Sequence, residues 1–110
     1  MTSSNHGGRQ LDFAPSGIEI LPEVVNALKA RKLYNPDKFE IYVDGGVRRA
    51  SDIIKAVALG AKAVGVGRPF IYAYSAYGEE GVNRAMDILR DEFESKWKTL
   101  LTKVIETNNT

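Results

Sequence analysis

Residues Phe39–Pro69 read FEIYVDGGVRRASDIIKAVALGAKAVGVGRP, and the fold of the chain turns on this stretch. FEIYV, from Phe39 to Val43, is an aromatic and β-branched run stopped by Asp44-Gly45-Gly46, which predicts a strand ending in a turn. Between Ser51 and Leu59 the apolar residues Ile53, Ile54, Val57 and Ala58 follow a helical rather than an alternating spacing. Ser51 is a candidate N-cap and Gly60 a candidate C′ residue. AVGV, from Ala63 to Val66, predicts a second strand that runs into Gly67-Arg68-Pro69. A strand, a helix of this length and a second strand imply a right-handed parallel crossover, and so an α/β fold.

The two turns carry a chemical pattern. Gly45, Gly46 and Gly67 allow backbone N–H groups to approach a ligand with no Cβ in the way. Arg48 and Arg68 each follow a predicted strand end by a few residues, and parallel strands send such residues to one edge of a sheet. Two guanidinium groups, free amides and a helix N-terminus suit a phosphate. The alternative is that the glycines only shape tight turns and the arginines are solvated.

Outward from this stretch, the composition sets bounds. The chain has 110 residues, net charge +1, no cysteine and one histidine. That length predicts one domain with a modest core. The charge gives no reason to invoke nucleic acid or membrane, and no apolar run reaches the ~20 residues of a membrane span. Disulfides and thiolate chemistry are excluded, and one histidine without a second His or Cys argues against a metal site. No signal-peptide core or peroxisomal C-terminal tripeptide is expected from the ends.

The opening residues MTSSNHGGRQLD predict a loop rather than a strand or helix. His6 and Arg9 lie in it, three positions apart. A guanidinium can grip a carboxylate with two hydrogen bonds, while an imidazole can move a proton at the adjacent carbon or its hydroxyl. That pairing suits chemistry on a small carboxylic acid. On spacing alone the favoured reading is that both side chains are merely exposed in a disordered N-terminal segment. Further on, Leu21–Leu33 predicts a helix with Pro22 in its first turn, stopped by Asn35-Pro36. A long amphipathic helix is expected from Glu80 to about Val104, with Val82, Met86, Leu89, Phe93, Trp97, Leu100 and Val104 on its core face. PFIYAYSAYG, before it, reads as an aromatic cover.

Three segments carry a resemblance: SNHGGRQLD (residues 4–12), VDGGVRRASDIIKAVALGAKAVGVGRPFIYAYSAYGEEGV (residues 43–82) and ILRDEFE (residues 88–94). Together they resemble the FMN-dependent 2-hydroxy-acid oxidase and dehydrogenase family, and within it the fungal flavocytochrome-type L-lactate dehydrogenases. The resemblance implies a (β/α)₈ barrel with FMN at its C-terminal face, oxidising an L-2-hydroxy acid such as L-lactate to the 2-keto acid. It implies His6 as the catalytic base and Arg9 as the substrate-carboxylate clamp. Asp44, Gly45, Gly46, Val47 and Arg48 would line the ribityl and phosphate end of FMN, and Gly67 and Arg68 the phosphate.

A (β/α)₈ barrel takes ~250 residues. The resemblance therefore implies a partial barrel over residues 1–110: the end of a sixth unit, then strands seven and eight with flanking helices, and a disordered tail at 105–110. The family's flavin-contacting lysine, its tyrosines and the aspartate that partners the histidine would lie upstream. Ala50 stands where the family often has glycine, and KTLLTKVIETNNT departs from its usual ending. Self-association or a complementing barrel fragment is expected to cover the open edges. The compartment implied is mitochondrial (intermembrane space) or cytoplasmic. An isolated piece of this kind would have little activity of its own. The alternatives are a non-catalytic FMN- or phosphate-binding half-barrel and an associating structural fragment.

Overall fold

The computed structural model describes residues 1–108, with side chains through Thr102. Its elements are β1 (Thr2–Ser3), α1 (Gly17–Ala30), β2 (Tyr42–Asp44), α2 (Ala50–Ala58), β3 (Ala63–Gly65) and α3 (Arg68–Asn108). They form two compact units. The first holds Met1–Arg48 and Asp52–Gly67; the second holds Arg49–Ser51 and the chain from Arg68 onward.

The first unit is a three-stranded parallel sheet in the order β1-β2-β3. Thr2 pairs with Tyr42 and Tyr42 with Ala63; Ser3 pairs with Val43 and Val43 with Val64; Asp44 pairs with Gly65. The row Ser3, Val43, Val64 is buried or half-buried, while the row Thr2, Tyr42, Ala63 is exposed. One face is therefore covered and the other bare, as the period of two along a strand requires. The covering is a single apolar cluster of Leu21 and Val25 from α1, Ile41 and Val43 from β2 and its approach, Ala56 from α2, and Ala61. The strand order follows the chain without reversal, and both helices contribute to one cluster.

Two expectations about this sheet are corrected. The N-terminal segment is not all loop, because Thr2 and Ser3 form β1, and the Tyr42 amide donates to the Met1 carbonyl at 2.8 Å. A two-residue strand is too short for periodicity to reveal. The FEIYV run also contributes less strand than it promised, with β2 confined to Tyr42–Asp44.

Helix α1 starts at Gly17, four residues before the expected Leu21. Ser16 is its N-cap and builds a capping box with Glu19: the Ser16 amide and hydroxyl donate to Glu19 Oε2 at 2.8 and 2.7 Å, and the Glu19 amide donates to Ser16 Oγ at 3.4 Å. The S-x-x-E pattern carries this start signal. Pro22 thus lies past the first turn. The helix stops before Asn35-Pro36, where Lys32 takes φ 56° and the Lys32 and Leu33 amides donate to the carbonyls of Lys29 and Leu28. This is a Schellman ending with lysine where glycine is usual. The same ending closes α2 at Gly60, φ 110°, through the Gly60 and Ala61 amides, so the expected C′ glycine is found.

In the second unit, α3 begins at Arg68, so PFIYAYSAYG, expected as an aromatic cover, is helical. Gly78 (φ 60°, ψ −146°) breaks it into two helical stretches. Val82, Leu89 and Phe93 of the expected stripe are half-buried; Met86, Trp97 and Leu100 are exposed, and the Val104 side chain lies outside the described residues. The helix is described to Asn108, within the stretch expected as a tail. Among the described residues, no helix is long and apolar enough to cross a membrane.

Two outcomes test this packing. At Gly17 an added Cβ would lie 2.6 Å from the Ser3 carbonyl oxygen, a backbone atom that cannot yield without moving β1. Gly17→Ala is expected to lower stability by about 1–3 kcal/mol in urea unfolding. The Ser16 hydroxyl and amide hold the Glu19 carboxyl below its ordinary value of 4.5. A depressed carboxyl stabilises the fold above its unfolded value and loses that contribution as pH falls through the folded one. Stability of the parent should therefore decline below about pH 4.5 more steeply than that of Glu19→Gln in matched acid titrations.

Candidate functional site

Because β1, β2 and β3 are parallel, their C-terminal ends share one edge of the first unit. The turn after β1 carries His6 and Arg9, the turn after β2 carries Asp44–Arg48, and β3 leads to Gly67. The β1 and β2 turns touch, since a Cβ added to Gly45 would lie 3.7 Å from Asn5 Oδ1.

The β1 turn is wound left-handed, with His6, Gly7 and Gly8 at φ 55°, 70° and 71°. The two glycines accept this at little cost, whereas a histidine held there stores strain of about 1–3 kcal/mol. Local polar contacts offset it. Ser4 Oγ accepts the His6 amide at 3.1 Å, Asn5 Oδ1 accepts the Gly8 amide at 3.1 Å, and Asn5 Nδ2 donates to the Pro15 carbonyl at 3.4 Å. Sequence reading passed over Asn5, although an Asx residue before two glycines is a recognised turn signal. His6 is exposed, with Gln10 Nε2 3.4 Å from its Nδ1. Arg9 is exposed and has no ion-pair partner among the described residues.

The β2 turn is the most constrained part of the edge. Gly45 and Gly46 take φ 85° and 73°, and nothing lies within 4 Å of a Cβ built on Gly46 or Gly67. Both positions are therefore open above the backbone. Val47 is buried at 7 % exposure, so its side chain belongs to the interior and only its backbone faces the turn. Asp44 Oδ1 is buried without a hydrogen-bond partner. An unpaired buried acceptor is costly, and it fits a ligand that brings hydroxyl donors, as a polyhydroxylated chain does.

The expected free helix N-terminus and the Ser51 cap are both corrected. Helix α2 starts at Ala50, and carboxylates already occupy its entry. The Arg48 amide donates to Asp52 Oδ2 at 3.0 Å, and the Ala50 amide to Glu92 Oε2 at 3.3 Å. Arg49 is paired with Glu92, whereas the Arg48 guanidinium has no ion-pair partner among the described residues. Of the two neighbouring arginines, Arg48 is the one whose charge a ligand can use. Arg68 opens α3 in the second unit, followed by Pro69 in the first helical turn. Among the described residues no group of three or more His, Cys, Asp or Glu could hold a metal ion.

The sequence profile of the FMN-dependent dehydrogenases matches residues 2–107. The chain belongs to this family. It is 55 % identical over 104 residues to L-lactate dehydrogenase (cytochrome) of Saccharomyces cerevisiae, covering 94 % of this chain and 17 % of that protein. It is 50 % identical over 91 residues to a peroxisomal (S)-2-hydroxyacid oxidase of Arabidopsis thaliana, covering 83 % of this chain and 23 % of that protein. Among solved structures, the recombinant flavin-binding domain of baker's yeast flavocytochrome b2 superposes with TM-score 0.82 at 56 % identity, over 88 % of this chain and 24 % of that one. The chain thus spans about a fifth of the length of the curated relatives it matches. The α/β fold with parallel strands is that of the flavin domain in these relatives.

The buried Asp44 oxygen yields a test of the edge. Asp44→Asn reduces the cost of burying charge and leaves the backbone turn alone. The expected result in urea unfolding is an unchanged or raised midpoint for the chain without ligand. A large fall in the midpoint would show that Asp44 serves the fold.

Proposed function

We propose that this chain supplies the phosphate and ribityl pocket, the base and the carboxylate clamp of an FMN-dependent L-2-hydroxy-acid dehydrogenase, with L-lactate as substrate. The observation that carries the proposal is the parallel register, which brings the turns bearing His6 and Arg9, Asp44–Arg48, and Gly67 to one edge. The partner-free buried oxygen of Asp44 and the open positions at Gly46 and Gly67 support it. The winding supports a barrel wall in which β2 and β3 are strands seven and eight, residues 1–110 forming the C-terminal part of the flavin domain. The bare row Thr2, Tyr42, Ala63 would then face the barrel interior.

In this reading Asp44 accepts hydrogen bonds from ribityl hydroxyls, and Gly45, Gly46 and Val47 offer backbone. Arg48 and Gly67 hold the phosphate. Arg68, next in sequence to Gly67, is the second arginine that the family resemblance assigns to the phosphate. Arg9 pairs with the substrate carboxylate through its two-nitrogen fork. His6 takes a proton as the alcohol becomes a ketone. FMN, when bound, accepts the two electrons that leave with the substrate's hydrogens. A flanking carboxylate would stabilise the protonated imidazole, and a closed cavity would exclude water; in this reading both come from the remainder of the barrel or from a complementing barrel fragment. The flavocytochrome-type resemblance favours the mitochondrial intermembrane space as the compartment, and the peroxisomal Arabidopsis relative favours the peroxisome.

A second reading, a phosphate-binding half-barrel without turnover, is favoured by the exposure of His6. Flavin absorbance separates the two. Retained FMN that bleaches on addition of L-lactate supports the dehydrogenase; FMN that does not bleach supports the binding module. Arg48→Ala and Arg68→Ala are each expected to weaken FMN binding about tenfold or more. His6→Asn should leave flavin binding intact and abolish bleaching, and an unaltered bleaching rate would remove His6 from the role of base.

A further inference from the structure

We infer that Asn5 is a positioning residue that holds the turn of His6 and Arg9 against the glycine turn after β2. The inference rests on the 2-hydroxy-acid reading of these turns, and every residue in it belongs to the first unit. Asn5 is half-buried, whereas its neighbours Ser4 and His6 are exposed. Its backbone carbonyl and its Oδ1 both accept the Gly8 amide, each at 3.1 Å. A bond from residue i+3 back to residue i, with positive φ at the two residues between, is the pattern of a type I′ turn. His6 occupies the first central position, a backbone state in which histidine is commoner than most residues but still strained. Asn5 Nδ2 donates to the Pro15 carbonyl at 3.4 Å, which ties the turn to the residue before the N-cap of α1. Oδ1 lies 3.7 Å from where a Cβ on Gly45 would sit, so the same oxygen borders the β2 turn.

A carbonyl only accepts and an amide N–H only donates, so the two partners force the orientation of the Asn5 carboxamide. Aspartate keeps the acceptor and loses the donor; alanine loses both. The direction of the His6 side chain follows from the left-handed backbone that this clasp maintains. Released, His6 relaxes toward negative φ and its imidazole swings to a new direction. Proton transfer requires hydrogen-bond reach, and a displacement of about 1 Å can cost about a hundredfold in rate. Arg9 follows the closing Gly8 directly, so the carboxylate clamp moves with the base. Because Oδ1 also borders Gly45, Asn5 sets the spacing between the turn that handles substrate and the turn that handles FMN.

A residue that merely stabilised the fold would, when altered, lower the urea midpoint and leave the folded, FMN-loaded chain as fast as before. A positioning residue instead lowers the limiting rate of flavin bleaching at saturating L-lactate while FMN affinity holds. The experiment compares the parent chain with Asn5→Ala. It measures Kd for FMN, the bleaching rate against L-lactate concentration, and hydrogen exchange at the His6 and Gly8 amides. In N5A the limiting rate is expected to fall about tenfold or more, with FMN Kd within about threefold of the parent and both amides exchanging faster. A parent chain that bleaches together with an N5A chain of the same limiting rate would overturn the assignment. A parent chain that does not bleach would instead sink the dehydrogenase reading. The Asn5 assignment then stands on faster Gly8 exchange with a displaced Gly45 amide resonance in N5A, and falls if either is unchanged. Should N5A fail to fold, Asn5→Asp, which keeps the acceptor for Gly8 but loses the link to Pro15, is measured in the same way. A lowered limiting rate is expected there too, and an unchanged one overturns the assignment.

Discussion

The parallel register of β1, β2 and β3 is the constraint on which the rest of this molecule depends. Parallel strands need a crossover between each pair, so every C-terminal end falls on the same edge and each connection runs back over the sheet to the opposite one. Histidine, arginine, aspartate and glycine residues far apart in sequence are gathered by this single fact. The crossovers also explain the core. Leu21 and Val25 on α1 and Ala56 on α2 meet Ile41 and Val43 because both helices return over one face. The edge at the C-terminal ends owes its shape to backbone rather than to side chains. Left-handed residues at His6 to Gly8 and at Gly45 and Gly46 turn the chain sharply while leaving space above it.

Charge at this edge is distributed with a clear division of labour. Carboxylates of Asp52 and Glu92 take the amides at the start of α2 and the guanidinium of Arg49. Arg48 keeps its charge available. Asp44 holds a buried oxygen without a partner, an energetic cost that a ligand's hydroxyl would relieve. Structural pairing thus uses Arg49 and leaves Arg48 without an ion pair among the described residues. Pairs such as Arg48-Arg49 cannot be told apart by composition alone.

Much of this was legible in the sequence, for reasons that can be named. The β2–α2–β3 unit announced itself because two apolar runs flank a helical period and each ends in glycine. Gly60 was readable as a helix terminator since a C′ position favours a residue without Cβ. The start of α1 was also written in Ser16 and Glu19, but Pro22 drew attention to a later position. Other features had no local signal. Thr2–Ser3 is a strand only because β2 lies beside it, and Lys32 ends α1 in a conformation that lysine rarely adopts. The helical state of PFIYAYSAYG was masked by aromatic residues with modest helix propensity. Gly17 must be glycine because the Ser3 carbonyl approaches it, and Glu92 matters because of Arg49; both are tertiary facts.

The central claim, that the glycine-bearing ends of β2 and β3 form the flavin-phosphate pocket, is tested most directly by following backbone amide resonances of the whole chain as FMN is added. The account predicts saturable shifts at Gly45, Gly46 and Gly67, with Gly60, at the opposite end of the sheet, unmoved. Shifts concentrated around Tyr34, Gly60 and Lys62, or no shifts at any FMN concentration up to the millimolar range of weak binding, would contradict it.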